Sequence, residues 1–117
     1  MSPSGAEYLR HILDECGFIW NAVGSISREA FLVDETLKRA VVRSLEVIGE
    51  ATKQVPAAIR TAHPLIEWRA IAGIRDRLIH EYFGVDYEIV WDVATSKVPD
   101  LRAEVEKILH SVEGSQE

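Results

Sequence analysis

The chain has 117 residues, with 13 Lys+Arg against 19 Asp+Glu, a formal net charge of −6 and 47% hydrophobic residues. That length suits one domain with a sizeable core, and the apolar fraction excludes a disordered chain. The acidic balance excludes a protein that coats nucleic acid through bulk positive charge. A single cysteine, Cys16, leaves no intramolecular disulfide, which fits a reducing cytoplasm. The N-terminus carries no basic region followed by an apolar run, and no stretch approaches the ~20 apolar residues that span a bilayer. The expectation is a cytoplasmic protein with one domain over 1–117 and frayed ends at 1–5 and 113–117.

Apolar residues recur at helical spacing almost throughout. Leu9, Ile12, Leu13, Cys16, Ile19, Trp20 and Val23 predict a helix over about 6–23, stopped by Gly24. Ser27 caps a short turn through Phe31 and Leu32. Asp34 caps a long helix carrying Leu37, Val41, Leu45, Ile48 and Ala51, which closes before Pro56. Residues 56–63 read as a helical connector, and Pro64 suits the first position of a helix running to about Phe83, with Gly84 as its stop. Asp86 caps a final stretch with Ile89, Val90, Val93 and Ala94. Beyond Pro99 the pattern continues with Leu101, Val105, Ile108, Leu109 and Val112. Pro99 either kinks one helix or separates two. The fold class is all-α, an antiparallel bundle of four to five helices.

The helix expected at 64–83 breaks its own pattern. On a wheel at ~100° per residue, Ile71, Ala72, Leu78, Ile79, Tyr82 and Phe83 share one apolar face, and Arg75 falls in its middle. An arginine there is costly unless it is ion-paired, snorkels, or meets a cleft. A polar stripe holds Arg69, Asp76 and His80, with Gly73 between them, where another backbone could come close. Asp76 and His80 stand at i,i+4, the spacing at which a carboxylate holds an imidazole tautomer. An exposed charged face accounts for the same stripe, and for Glu67. Arg75 and His80 lie about 140° apart, so they share no narrow face of a regular helix. They could meet by the arginine bending round, or across a two-fold interface.

In RDRLIHEY, the order Arg75, four residues, His80, one residue, Tyr82 resembles the signature of the HEPN superfamily, in its HepT-like toxin branch. The resemblance extends through the YLRHILDEC opening helix and the FGVDYEIVWDVATSKVPDLRAEVEKIL continuation, and so covers essentially the whole chain. It implies a homodimeric all-α bundle with two motifs facing one cleft, and a metal-independent endoribonuclease toxin with no cofactor. Its implied partners are RNA as substrate and a minimal nucleotidyltransferase antitoxin encoded nearby, which silences the toxin by transferring AMP to the motif tyrosine. Carried over by position, Arg75 and His80 are the catalytic pair, Asp76 the supporting polar residue and Tyr82 the AMP acceptor.

First principles support this chemistry. RNA carries its own nucleophile, the 2′-hydroxyl, so a ribonuclease needs only to move protons and stabilise charge on phosphorus. A histidine, with a reference pKa of about 6.5, does the first, and an arginine the second. Nine of the 13 basic residues are arginine, the side chain suited to bidentate phosphate contacts. Arg69 and Arg77 flank the motif as RNA-binding candidates. For Tyr82 the plain alternative is a ring packed at a helix end with a wet hydroxyl. Four scattered histidines and the lone His63–Glu67 spacing make no metal site. Cys16 reads as core, and Trp20, Trp68 and Trp91 as core or dimer contacts rather than base stackers. The competing reading is a non-catalytic helical module that docks a nucleotidyltransferase.

Overall fold

A computed structural model of the chain describes residues 5–80 and 84–114. The elements in order are α1 (Gly5–Val23), α2 (Arg28–Val33), α3 (Glu35–Gln54), α4 (Ala57–Ala62), α5 (Trp68–Ala72), α6 (Ile74–Leu78), β1 (Ile79–His80), β2 (Gly84–Val85), α7 (Tyr87–Asp92), a π-helical turn (Val93–Lys97) and α8 (Val98–Gly114). The architecture is all-α, apart from the two-residue pairing of β1 with β2. Of the expected frayed ends, Gly5, Glu113 and Gly114 stand in helix, and the rest lies outside the described residues. Among the described residues no helix is long and apolar enough to cross a membrane.

The three long helices form the body: α1 packs along both α3 and α8. Each contributes one stripe at helical spacing, with Leu9, Ile12, Cys16 and Ile19 facing Val41, Leu45 and Ile48, and Leu101, Val105 and Ile108 closing the third side. The caps stand where the side chains require them. Ser27 accepts from the Ala30 N–H at 3.1 Å and Asp34 from the Leu37 N–H at 2.9 Å. The Asp86 carboxylate takes the N–H groups of Glu88 and Ile89 at 3.0 and 3.3 Å. Each of these satisfies donors that a helix N-terminus leaves without an internal partner.

α2 and α3 hold the start of α7. Phe31, fully buried, packs against Trp91 with ring centroids 5.3 Å apart, and Arg28 pairs with Glu88 at 2.9 Å. Lys38 is buried yet charged. Its ammonium lies 2.9 Å from Glu35 and 4.4 Å above the Tyr87 ring, which together replace the water it gives up. The hydrogen bond from Lys38 holds the Glu35 carboxyl below its ordinary range. The stability linked to that pair is therefore present above the carboxyl's unfolded pKa and is lost as pH falls through the lowered one.

Pro99 does not separate the last stretch into two helices. α7, the π turn and α8 run on without interruption, and the Val98 N–H reaches back five residues to the Val93 carbonyl. Proline has no N–H for the carbonyl four residues back, Thr95, and its ring would press on it; one wider turn relieves both. The Thr95 hydroxyl donates to the Trp91 carbonyl at 2.8 Å within the same stretch.

The region 63–85 departs furthest from its sequence pattern. No helix starts at Pro64, and the helical run stops at Leu78; Phe83, its expected end, lies outside the described residues. Residues 63–67 form a connector, tied by the Trp68 indole N–H, which donates to the His63 carbonyl at 2.9 Å. α5 ends at Ala72 with Gly73 as its cap, α6 ends at Leu78, and the chain then turns extended. The close backbone approach expected at Gly73 occurs instead at Gly49 in α3. A Cβ there would sit 3.2 Å from both the Ile71 carbonyl and the Ile74 side chain, whereas one at Gly73 would meet only ordinary contact distances. Gly49 is what lets α3 lie against the α5–α6 junction.

Candidate active site on α6 and the β1–β2 hairpin

The break at Gly73 resets the helical phase, and with it the placement of every motif residue. Arg75 does not sit in an apolar face. Ile74 and Leu78 supply the buried side of α6, while Arg75, Asp76 and Arg77 are all exposed. The Arg75 side chain is 68% exposed and its Nε lies 3.9 Å from a Glu46 carboxylate oxygen on α3. The arginine thus stands largely in water, and among the described residues its charged neighbour is this one loosely held carboxylate.

His80 is not on a helix. It lies in β1, opposite Gly84, with Ile79 opposite Val85. Because α6 ends at Leu78, the i,i+4 geometry expected to join Asp76 to His80 does not exist. The 140° separation of Arg75 from His80 likewise loses its basis. The expected proximity of Tyr82 to Arg75 rested on the same unbroken helix, and Tyr82 itself lies outside the described residues.

The hairpin is anchored at its base. Leu78 is buried and Val85 packs against the core. The Asp86 N–H donates to the Leu78 carbonyl at 2.8 Å, closing the stem just before the Asp86 side chain caps α7. A one-turn helix and a two-residue ladder would not persist alone; here both are pinned between α3 and α7.

The three motif-region arginines address three different surroundings. Arg75 meets Glu46 of α3. Arg77, about 160° round α6, lines a cleft of about 230 Å³ floored by Leu45, Ile48, Ile71 and Ile74, with Lys97 of the π turn also on its wall. Arg69 lies with Arg60, Pro64 and Trp68 along a shallow depression on the α4 side. Leu65, 87% exposed, stands at the lip of the cleft. Within one chain, then, these cations do not converge on a single pocket.

Two residues were missed by sequence patterning. Glu46 was invisible because a polar residue on the half-exposed side of α3 carries no periodic signal, and its partner is 29 positions on. Lys97 was invisible because only the π turn brings it to the cleft. Three other placements need revision or agree. Trp20 is 49% exposed, so of core and dimer contact only the second stays open for it; Trp68 is buried, and Cys16 is buried with its thiol pushed up to about 12 by desolvation, which makes it a poor nucleophile. His63 and Glu67 flank the connector and share no helix.

A family model described as ribonuclease HepT-like matches residues 12–108, which include all of α6 and both strands. The chain is 51% identical over 102 residues to a "Putative RNase" of Caldanaerobacter subterraneus subsp. tengcongensis, covering 87% of this chain and 91% of that one. It is 44% identical over 110 residues to a "Putative RNase" of Methanocaldococcus jannaschii, covering 94% and 91%. A "Probable ribonuclease HepT" of Thermococcus cleftensis is 40% identical over 108 residues, covering 92% and 98%. No solved structure matches the chain.

Proposed function

The chain belongs to the ribonuclease HepT-like family, and from that premise we propose that it is a metal-independent endoribonuclease toxin in which Arg75 and His80 act on RNA. The observation that supports this best is the contrast within ten residues of chain. Arg75 is water-exposed beside a buried Ile74, and His80 follows in a hairpin pinned at its stem. An exposed, weakly paired guanidinium contributes at most about 1 kcal/mol to stability, but it is what a phosphodiester requires.

The proposed reaction uses the substrate's own 2′-hydroxyl. His80 takes the hydroxyl proton as the oxygen attacks the adjacent phosphorus, the bond to the 5′-oxygen breaks, and that oxygen receives a proton. The products are a 2′,3′-cyclic phosphate end and a 5′-hydroxyl end. Arg75 stabilises the extra negative charge on the phosphoryl oxygens in the transition state. Asp76 supports the pair as the polar neighbour of Arg75, and Arg69 and Arg77 hold flanking phosphates. In a homodimer two motifs face one cleft, so that one histidine serves as base and the other as acid. That arrangement also answers the divergence of the three arginines within one chain: a second copy supplies cations the first does not bring together.

The same reading makes a nucleotidyltransferase antitoxin the partner and Tyr82 the acceptor of AMP. The adduct adds a phosphate that competes for Arg75. The decisive experiment incubates purified protein with RNA in EDTA, comparing wild type with Arg75→Ala and His80→Ala. Cleavage by the wild type, and a loss of at least about 1,000-fold in each variant with helicity and oligomeric state unchanged, is the expected result. A folded wild type that binds the nucleotidyltransferase but leaves RNA intact would falsify the ribonuclease and establish a docking module. For the modification, Tyr82→Phe should escape silencing and show no mass increase on incubation with the nucleotidyltransferase and ATP.

A further inference from the structure

We infer that Gly84 is a positioning residue for His80, acting through the backbone of the β1–β2 hairpin; this rests on the proposed catalytic role of His80. Gly84 stands directly opposite His80 in the ladder. Its φ is +73°, in the left-handed region, and it is the positive-φ glycine of the described residues. A Cβ built on it would meet nothing within 4 Å among the described residues. Crowding by those residues is therefore not what demands glycine at this position. The demand comes from the backbone conformation.

That conformation bears on His80 because, among the described residues, the hairpin has few other constraints. Its stem is closed by the Asp86 N–H bonded to the Leu78 carbonyl at 2.8 Å, and its outer end is the His80–Gly84 pair. With two residue pairs among the described residues, the ladder has little spare pairing to absorb a change at either. A residue that cannot hold positive φ must rotate out of it, and the pairing then opens or slips. A slip of one position would exchange the two faces of the strand. The Cα of His80 would move while α6, and with it Arg75, stayed with the body through Ile74 and Leu78. The consequence is a broken relation between two catalytic groups, without loss of the fold.

The side chains rank themselves by tolerance of left-handed backbone. Asparagine adopts it readily, alanine at moderate cost, and a β-branched residue hardly at all. The test substitutes Gly84→Asn, Gly84→Ala and Gly84→Val and measures kcat and KM on RNA together with thermal stability. It also follows the NMR titration of the His80 imidazole in each protein. Gly84→Asn should keep kcat within about threefold, Gly84→Ala should lose about tenfold, and Gly84→Val about 100-fold, the scale of an ångström's misplacement of a catalytic group. KM should hold in all three, because the phosphate-binding arginines do not move. The His80 chemical shifts should change in the same order and recover with asparagine.

Four equal activities beside an inactive His80→Ala would overturn the inference while leaving the ribonuclease standing. Losses that follow side-chain size rather than φ tolerance, with asparagine worse than alanine, would overturn it as well. If Gly84→Val fails to fold, the order of asparagine over alanine still decides. If the wild type leaves RNA intact, the ribonuclease reading and the catalytic role of Gly84 fall together. The NMR series then shows separately whether Gly84 sets the environment of His80.

Discussion

The body of α1, α3 and α8 and the segment from α5 to β2 are held by different kinds of force. In the body each helix buries a continuous stripe, and the ion pairs are local, such as Lys53–Glu50 and Lys107–Glu104 at i,i+3. Such pairs contribute little; the hydrophobic stripes carry the stability. Among the described residues between Trp68 and Val85 no element exceeds five residues, and the buried positions are isolated: Trp68, Ile74 and Leu78. What holds this segment is a set of single devices: an indole hydrogen bond, a glycine that admits α3, a stem hydrogen bond and a left-handed glycine. A stripe tolerates the loss of one member by degree, whereas a single device fails outright. The molecule places its proposed chemistry in the second kind of structure, where side chains are exposed and geometry is set locally.

Substitutions should separate the two regions. The largest effect belongs to the body. Ile12→Ala removes a fully buried side chain from the α1 stripe and should cost about 2–5 kcal/mol. Denaturant unfolding checks this, and activity per folded molecule should hold at low temperature. Gly49→Leu tests the seam between the regions. It forces side-chain atoms against the Ile71 carbonyl and Ile74, and should cost about 2 kcal/mol and also lower kcat, since α6 must shift. A stability loss with unchanged kcat would show that the seam does not transmit to α6. Asp86→Ala removes the α7 cap and loosens the hairpin exit. It should cost about 1 kcal/mol of stability, with a kcat loss of several-fold out of proportion to that change.

The body was legible in the sequence because its apolar period and its caps agree: Ser27, Asp34 and Asp86 each cap the helix that its position announces. The motif segment was legible as chemistry but not as geometry. Ile71, Leu78 and Ile79 continue a helical period across Gly73, and nothing local reveals that α3 approaches through Gly49 and ends the helix there. The wheel thus put Arg75 in a core face, although Ile74 is the residue that turns inward. Pro99 looked like a breaker because its missing N–H is visible in sequence, while the π turn that accommodates it is not. Glu46 shows the same limit, since a contact between an exposed and a half-buried polar side chain far apart in sequence leaves no pattern.

That contact supports the smallest and most discriminating prediction. Glu46 lies 3.9 Å from the Arg75 Nε, too long for a firm hydrogen bond, and the guanidinium is largely in water. Such a pair is worth between nothing and about 1 kcal/mol, so Glu46→Gln should leave stability nearly unchanged. Its charge still acts on anything that approaches Arg75. A carboxylate beside the phosphate-binding group opposes the incoming phosphodiester, and an amide of the same shape does not. Glu46→Gln should therefore lower KM for RNA by about two- to threefold at low salt, with kcat constant. At 1 M salt, where the screening length falls to about 3 Å, the difference should vanish. If kcat falls instead and the fall survives high salt, Glu46 orients Arg75 rather than competing for it. The motif segment would then borrow its precision from the body through this pair as well as through Gly49.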